Sequence, residues 1–410
     1  MMKKILDIWN RIKNFAGDLL INTFSFGIYI IAQQLVFMPT MGKLLSANEF
    51  ANLVIYISIF SIISNVLGSE LGIVRQVREN KNNGNDYNRI LLFLFPIITI
   101  ISMAILILLK YNLIDSICFT VIILLANIRL YALSCFRLDK KFKNVLFQNL
   151  LYLAGLVVGI LLYKRCGYIW MPMLIAELCT LIYSFARTDI MRAGIAKTGE
   201  NKEICKSFLD LGFISLLVNA MVYFDKMLVY PILGEIAVSI YYSTTSMSKV
   251  VSMITNPMHG VLISWIKGND EKEKNKIVKY TLKVNIPVLI IVFVVSIPLT
   301  YFAVKILYEQ YLEQSIALII PVCIGLAFST VSSLVKSVLL KYVQSKKLVI
   351  TYLIYFAIFI LISIPMSKWQ GVVGFAYATA IAKFILWLEF LWILKKAVCL
   401  EGETKNEKRS

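Results

Sequence analysis

The chain has 410 residues, of which 59% are hydrophobic and only 16% charged, and its mean hydropathy is +0.76. A water-soluble domain averages about 45–50% apolar and about 25% charged, so ordinary soluble enzymes, disordered regulators and free nucleic-acid binders are excluded. The net charge of +18 looks like a nucleic-acid footprint, but its placement along the chain is that of membrane topology.

A helix crossing a hydrocarbon core of roughly 30 Å needs about 20 mainly apolar residues. That ruler predicts about twelve spans, near 18–39, 48–69, 90–109, 115–136, 145–163, 168–187, 207–230, 236–266, 280–304, 316–340, 348–366 and 372–394. Ile90–Leu109 and Ile286–Pro298 carry no charge at all. The eighth span is overlong and contains Pro257, which predicts a kink or an interfacial end. The expected class is therefore an all-α integral membrane protein.

Lysine and arginine set the orientation, because cytoplasmic loops keep them. With the N-terminus inside, thirty of the 42 basic residues fall on the cytoplasmic side, including Arg75, Arg78, Lys81 and Arg89 in the second inner loop. Six fall outside and six within spans. Both termini are expected in the cytoplasm. Met1–Ala16 is basic and amphipathic, and the apolar run after it is long enough to span, so no cleavable signal is expected. The seven cysteines are odd in number, and all but Cys166 lie in spans or near the cytoplasmic face. Structural disulfides are not expected there, and no spacing suggests a metal.

The loops narrow the function. Outer connections are short, leaving no large external domain of the kind glycan polymerases and ligases use. Inner loops reach about twenty residues at most, at Arg187–Lys206, and contain no phosphate-cradling Gly-rich Lys-Ser/Thr motif. The single histidine, His259, sits near Pro257, where packing and a proton relay are both open readings.

Transporters are often duplicated bundles. Leu35–Gly42 aligns with Met227–Gly234, so that Pro39 and Pro231, and Gly42 and Gly234, are each 192 residues apart. This divides the chain into a six-helix lobe at 1–186, a cytoplasmic linker at 187–206, a second six-helix lobe at 207–396 and a cytoplasmic tail at 397–410. Six is even, so the halves are expected to share one orientation. Pro39, Pro231 and Pro257 are candidate hinges, with a plain helix end as the other reading.

Charges at membrane depth are costly and concentrate where a cavity or partner awaits them. Lys283 and Lys336 lie only about 6–8 Å from the cytoplasmic end of their spans, so snorkelling accounts for them as well as an inward orientation does. Arg129, Lys249 and Lys383 lie deeper. Lys226 follows Asp225 near the outer end of the seventh span, and neighbours about 100° apart on a helix are expected to find different partners. The deep acids are Glu177, Asp225 and Glu389. Structural ion pairing is one reading; the other is a cavity of net positive charge that attracts anions. Asn65, Asn127, Asn219, Ser243, Thr244, Thr245, Ser246 and Asn256 could hydrogen-bond sugars or pack helices.

The segment PTMGKLLSANEFANLVIY…LGSELGIVR at Pro39–Arg75, with Gly42, Glu49-Phe50 and Gly72–Arg75, resembles the opening of polysaccharide flippases. These belong to the multidrug/oligosaccharidyl-lipid/polysaccharide exporter superfamily. YFDKMLVYPILGEIAVSIYYSTTSM at Tyr223–Met247 is similar to the family's seventh-helix motif, with Asp225-Lys226, Gly234 and Tyr241 in place. The resemblance implies two six-helix lobes around a central cationic cavity, opening alternately to each side. It implies movement of an isoprenyl (undecaprenyl) pyrophosphate-linked oligosaccharide to the outer leaflet of a bacterial cytoplasmic (inner) membrane, for O-antigen, lipopolysaccharide or related glycan assembly.

On this reading Arg129, Lys226, Lys249, Lys383 and Lys336 hold the pyrophosphate and acidic sugars, while Asp225 and Glu177 pair with lysines or couple to protons. No cofactor or nucleic acid is expected; proton or sodium coupling stays open. Partners are the lipid-linked substrate, membrane lipids and the polymerase and chain-length machinery. Drug-exporting relatives place an acid in the first helix or its counterpart. Here the first span offers Asn22, Gln33 and Gln34, with only Asp18 at its edge, while the counterpart carries Asp225. A cation-coupled drug antiporter is therefore the second reading, and a glycan polymerase or ligase the third.

Overall fold

The computed structural model describes residues 17, 20–77, 84–188, 190, 201–248, 250–251, 271–342 and 345–406. Expectations about the N-terminal basic segment, Asp18, Lys249, Asn256, Pro257 and His259 lie outside the described residues.

Regular structure among the described residues is helical. Helix α1 is Leu20–Leu44 and α2 is Ala47–Gln76. Then come α3 (Gly84–Leu108), α4 (Leu113–Leu138), α5 (Phe142–Cys166), α6 (Met171–Arg187), α7 (Asn201–Leu233) and α8 (Glu235–Thr245). Helix α9 (Glu271–Leu307) leads through a 3₁₀ turn at Glu309–Tyr311 into α10 (Leu312–Tyr342) and α11 (Ser345–Asn406). Nine helices among the described residues are long and apolar enough to cross a bilayer. The expected sixth span is α6, which has 17 residues. The expected eighth is α8, with description ending at Val251. The last two expected spans are the two limbs of α11, which is broken at Gln370 and Gly371. Gly371, at φ 58° and ψ −136°, occupies a conformation that a Cβ would make costly. Apolar side chains such as Ile97, Ile100 and Leu108 on α3, and Ile286, Ile290 and Val294 on α9, are exposed. Such surfaces suit a lipid solvent, and the chain is a multi-pass membrane protein.

The helix ends follow from local chemistry. Ser46 and Glu49 form a capping box at the start of α2: Ser46 N–H donates to Glu49 Oε2 at 2.9 Å, and Glu49 N–H donates to Ser46 Oγ at 3.3 Å. Asn112 Oδ1 caps α4 by accepting from Asp115 N–H at 2.7 Å. Gly167, at φ 75°, closes α5. Two π-helical stretches interrupt the first helices, at Ile31–Phe37 in α1 and Asn65–Ser69 in α2. The first one includes Leu35, four residues before Pro39. Wider π turns ease the clash between a proline ring and that carbonyl, and α1 runs on past Pro39 to Leu44. Pro231 lies in the last turn of α7.

By its internal contacts the chain divides into two compact units. The first comprises Met1–Thr40 and Ile55–Tyr223, the second Met41–Val54 and Phe224–Ser410. In the first, small residues let helices approach closely. A Cβ on Gly155 would stand 2.6 Å from Ala176 Cα, and one on Gly159 would run into the Pro172 backbone, which seats α5 against α6. Gly68 and Gly72 do the same for α2 against Asn127 and Ser134 of α4. In the second unit, Phe50 packs against Tyr242, Tyr308 and Tyr311 with ring centroids 5.8, 6.1 and 6.2 Å away. A Cβ on Gly42 would lie 3.4 Å from both the Phe50 and Tyr308 rings. Gly42, Glu49 and Phe50, which carry the sequence resemblance, thus form a capped and tightly packed turn.

Candidate functional site

Each unit contains a buried cluster of charged and aromatic side chains. In the first unit, Arg129 on α4 donates from Nε to Glu177 Oε2 on α6 at 2.9 Å. Their side chains are 1% and 0% exposed. The guanidinium lies over the rings of Tyr29 and Tyr152, with Cζ 4.9 and 4.7 Å from their centroids, a cation–π arrangement on two sides. Gln33, within the π stretch of α1, donates to Tyr152 Oη at 3.3 Å. The Tyr29 hydroxyl interacts with the same guanidinium, yet Arg129 Nη1 and Nη2 and Glu177 Oε1 are buried with no partner at hydrogen-bonding geometry among the described residues. This cluster joins α1, α4, α5 and α6.

In the second unit, Asp225 and Lys226 pair with each other. Lys226 Nζ donates to Asp225 Oδ1 at 2.7 Å and Oδ2 at 2.8 Å, and both residues are buried. The sequence expectation of separate neighbours is corrected here. A 100° step separates the Cβ directions, but the four-carbon lysine arm folds back far enough to meet the adjacent carboxylate. Tyr241 on α8 donates to Asp225 Oδ2 at 3.1 Å and lies 3.4 Å from Thr379 Oγ1 on the second limb of α11. One turn along that limb, Lys383 lies within electrostatic reach of both Asp225 and Lys226. Its Cδ would be 3.7 Å from a Cβ on Gly325 of α10. Tyr355, on the first limb, feels the Asp225 charge as well. Lys383 has no carboxylate at ion-pair distance among the described residues.

The remaining expected residues scatter. Lys336 is half-buried on α10 and Lys283 is exposed on α9. Glu389 Oε2 is buried with no hydrogen-bond partner among the described residues. Several polar groups have protein partners: Asn65 Nδ2 on α2 donates to Asn219 Oδ1 on α7 at 3.0 Å, and Asn127 Nδ2 donates within its own helix to Ile123 O at 2.7 Å. Thr244, Thr245 and Ser246 donate to carbonyls of their own helical segment, and Ser243 Oγ lies 3.2 Å from Ser315 Oγ.

Two features escaped the sequence reading. Arg75, counted with an inner loop, is 2% exposed on α2 and donates to Tyr131 Oη at 2.9 Å and Cys135 Sγ at 3.0 Å. Its place three residues after Gly72, on the same helix face, was the available signal. The aromatic partners Tyr29 and Tyr152 also went unnamed. Tyr29 stands four residues before Gln33, one turn along α1. The 192-residue offset of the repeat carries Gln33 onto Asp225 and Gln34 onto Lys226. In that sequence register, α1 carries two adjacent amides where α7 carries the adjacent Asp225 and Lys226.

No protein-family model and no curated protein sequence matches the chain. Solved structures do. A lipid II flippase, MurJ, in an inward closed conformation is 16% identical with a TM-score of 0.65, over 94% of this chain and 88% of that one. A MATE transporter in complex with MaL6 is 11% identical with a TM-score of 0.68, over 94% and 97%. The Vibrio cholerae MATE transporter VcmN in the bent form is 14% identical with a TM-score of 0.57, over the same shares of the two chains. A further match, with a TM-score of 0.59, is a multidrug resistance MATE family transporter of the MOP superfamily. The chain has the fold of these transporters, which is the fold that the residues at Pro39–Arg75 and Tyr223–Met247 implied.

Proposed function

We propose that the protein is a flippase that carries an isoprenyl pyrophosphate-linked oligosaccharide to the outer leaflet of a bacterial inner membrane by alternating access. The observation that carries this reading is Lys383, a lysine at mid-helix in a membrane span with no counter-ion among the described residues. An intramembrane charge kept without a partner marks a substrate path, and an ammonium selects an anion. The fold shared with a lipid II flippase supports a lipid-linked cargo. In this reading Lys383, Lys249 and Lys336 hold the pyrophosphate and acidic sugars. Lys226 is a further contact, held in reserve by Asp225, while Arg129 acts through its pair with Glu177. Twelve crossings with both termini inside, lobes at 1–186 and 207–396, and bending at Pro39, Pro231 and Pro257 complete the proposal. Polymerase and chain-length proteins are the partners it implies, and a proton or sodium gradient supplies the drive.

Deletion of the gene in its source organism tests this. Surface polysaccharide is expected to disappear while complete lipid-linked repeat units accumulate on the cytoplasmic side. A plasmid copy with Lys249→Gln and Lys383→Gln together is expected not to restore export; full restoration overturns the assignment. Unpolymerised units on the outer face would instead indicate a polymerase or ligase. A cation-coupled antiporter is favoured by one observation, Glu389 Oε2, buried with no hydrogen-bond partner among the described residues. It predicts normal glycan and sensitivity to toxic cations in the deletion strain.

A further inference from the structure

Along α2 and α7 of the first unit, polar side chains meet at three levels. The Tyr223 hydroxyl interacts with Ser61, Asn65 Nδ2 donates to Asn219 Oδ1 at 3.0 Å, and Ser215 interacts with the Glu70 carboxyl. Asn219 Nδ2 in turn donates to Ser215 O at 2.9 Å and to Ser215 Oγ at 3.1 Å, so the second and third levels form one chain of hydrogen bonds. The steps along α7 are four and four residues, but along α2 they are four and five. In an α-helix five residues turn through about 500° and would leave Asn65 and Glu70 about 140° apart. The π stretch at Asn65–Ser69 closes its hydrogen bonds over five residues and returns Glu70 to the face of Asn65. Asn65, Glu70, Ser215 and Asn219 are only partly buried. The Gln148–Ser184 hydrogen bond that ties α5 to α6 is different, with both residues 0% exposed. Polar groups at membrane depth that keep an exposed side need water there. Helix α7 passes from the first unit into the second between Tyr223 and Phe224, so this seam ends where α7 leaves the first unit.

We propose that the α2–α7 seam is the joint at which the first unit opens to water, with Asn201–Tyr223 swinging away from α2 to admit the polar head group of the cargo. A seam of amides and hydroxyls loses little on wetting, because each donor and acceptor finds water in place of its partner. The α5–α6 contact is closed by glycines against backbone and offers water no such exchange. The π stretch sets the register of the closed seam, and π turns of this kind recur at functional positions. The inference rests on the flippase reading for the nature of the cargo and on its topology for the cytoplasmic side. It adds the route by which that cargo enters.

Gly212 provides the reporter for the test. A Cβ there meets only Val66 O of α2, at 3.8 Å, so Gly212→Cys fits the closed seam and leaves its hydrogen bonds in place. The full chain carrying Gly212→Cys is treated in detergent micelles with a charged, water-soluble maleimide, and mass spectrometry reads the labelling rate of each cysteine. Cys205 on the same helix is exposed and Cys135 is buried, so the chain holds its own fast and slow standards, and Cys135 reports any global unfolding. Gly212→Cys is expected to label much faster than Cys135. Adding Asn65→Leu with Asn219→Leu is expected to slow that labelling at least about tenfold, because opening then exposes two leucines to water. The unfolding temperature is expected to be no lower than wild type. In the deletion strain a plasmid copy with the leucine pair is expected to export glycan at least about tenfold less. Labelling of Gly212→Cys as slow as that of Cys135, or equal rates with and without the leucines, overturns the gate. Slowed labelling with undiminished export overturns its role in cargo entry. Normal glycan in the deletion strain overturns the flippase reading alone, and the labelling rates still decide whether the seam opens. The Gly212→Cys rate stands even if the leucine variant fails to fold.

Discussion

In the first unit the guanidinium of Arg129 leaves α4 to meet a carboxylate on α6, 48 residues away in the chain. In the second unit the ammonium of Lys226 turns back on the residue before it. Both are buried ion pairs, but they constrain the molecule differently. The first links two helices and is flanked by tyrosines from two more, so its loss is felt across the unit. The second adds no tie between helices, since α7 carries both charges; Tyr241 supplies the connection to α8. A long-range pair belongs to architecture. A local pair leaves its helix untied by charge, and beside it Lys383 has no carboxylate at ion-pair distance among the described residues.

The largest expected effect breaks the first pair. Glu177→Gln or Arg129→Ala leaves one buried charge uncompensated and is expected to destabilise the protein by about 3–5 kcal/mol. Thermal unfolding in detergent, followed by fluorescence-detected size exclusion, measures it. Replacing both, as Arg129→Met with Glu177→Met, is expected to restore most of the loss, because paired apolar side chains carry no desolvation penalty. A double variant as unstable as either single one would show that the tyrosine sandwich, rather than ion pairing, holds the helices.

This pair also shows where sequence reading stops. Apolar runs located the helices, because crossing a bilayer demands length and hydrophobicity from each segment alone. The depth of Arg129 and Glu177 was visible for the same reason. Their partnership was not, since it depends on how α4 and α6 pack. The Asp225–Lys226 pair was misjudged on other grounds: helix geometry fixes Cβ directions and leaves a long side chain free. Basic residues near a span end ordinarily read as topology signals, which places Arg75 in a loop, whereas Tyr131 and Cys135 hold it inside. The π stretches have no residue signature, and they bring Gln33 to Tyr152 in a way no period of 3.6 announces.

Close helix contact in the first unit gives the next effect. Gly155→Val pushes a side chain into the backbone at Ala176, where even a Cβ would stand 2.6 Å from Cα. Overpacking of this kind is expected to cost about 1–3 kcal/mol, read as a lower unfolding temperature. Gly167→Ala, at a position with open space but φ 75°, is expected to cost about 1 kcal/mol. An equal loss at both glycines would mean that α5 and α6 tolerate separation, contrary to a rigid first unit.

Tyr152→Phe is a smaller probe. It removes the hydroxyl that accepts from Gln33 at 3.3 Å but keeps the ring over Arg129. The expected loss is about 0.5–1.5 kcal/mol, again by thermal unfolding. Tyr152→Leu removes the ring as well and is expected to lose more, through the cation–π contact.

Lys383→Met is expected to change stability least of all. The ammonium has no carboxylate partner among the described residues, so its removal strands no opposite charge. The methionine keeps most of the stem that packs near Gly325. A stability within about 0.5 kcal/mol of wild type is expected, together with glycan export reduced at least about tenfold, the loss of one favourable charge contact in a low-dielectric site. That combination, normal stability with failed export, is the inverse of what Glu177→Gln should do if its defect comes from unfolding. Lys383→Arg sharpens the contrast, because it preserves charge and is expected to recover part of the export. Should Lys383→Met destabilise the protein as strongly as Glu177→Gln, the second cluster would be architecture as well, and the difference between the two units would lie only in the length of chain their ion pairs close.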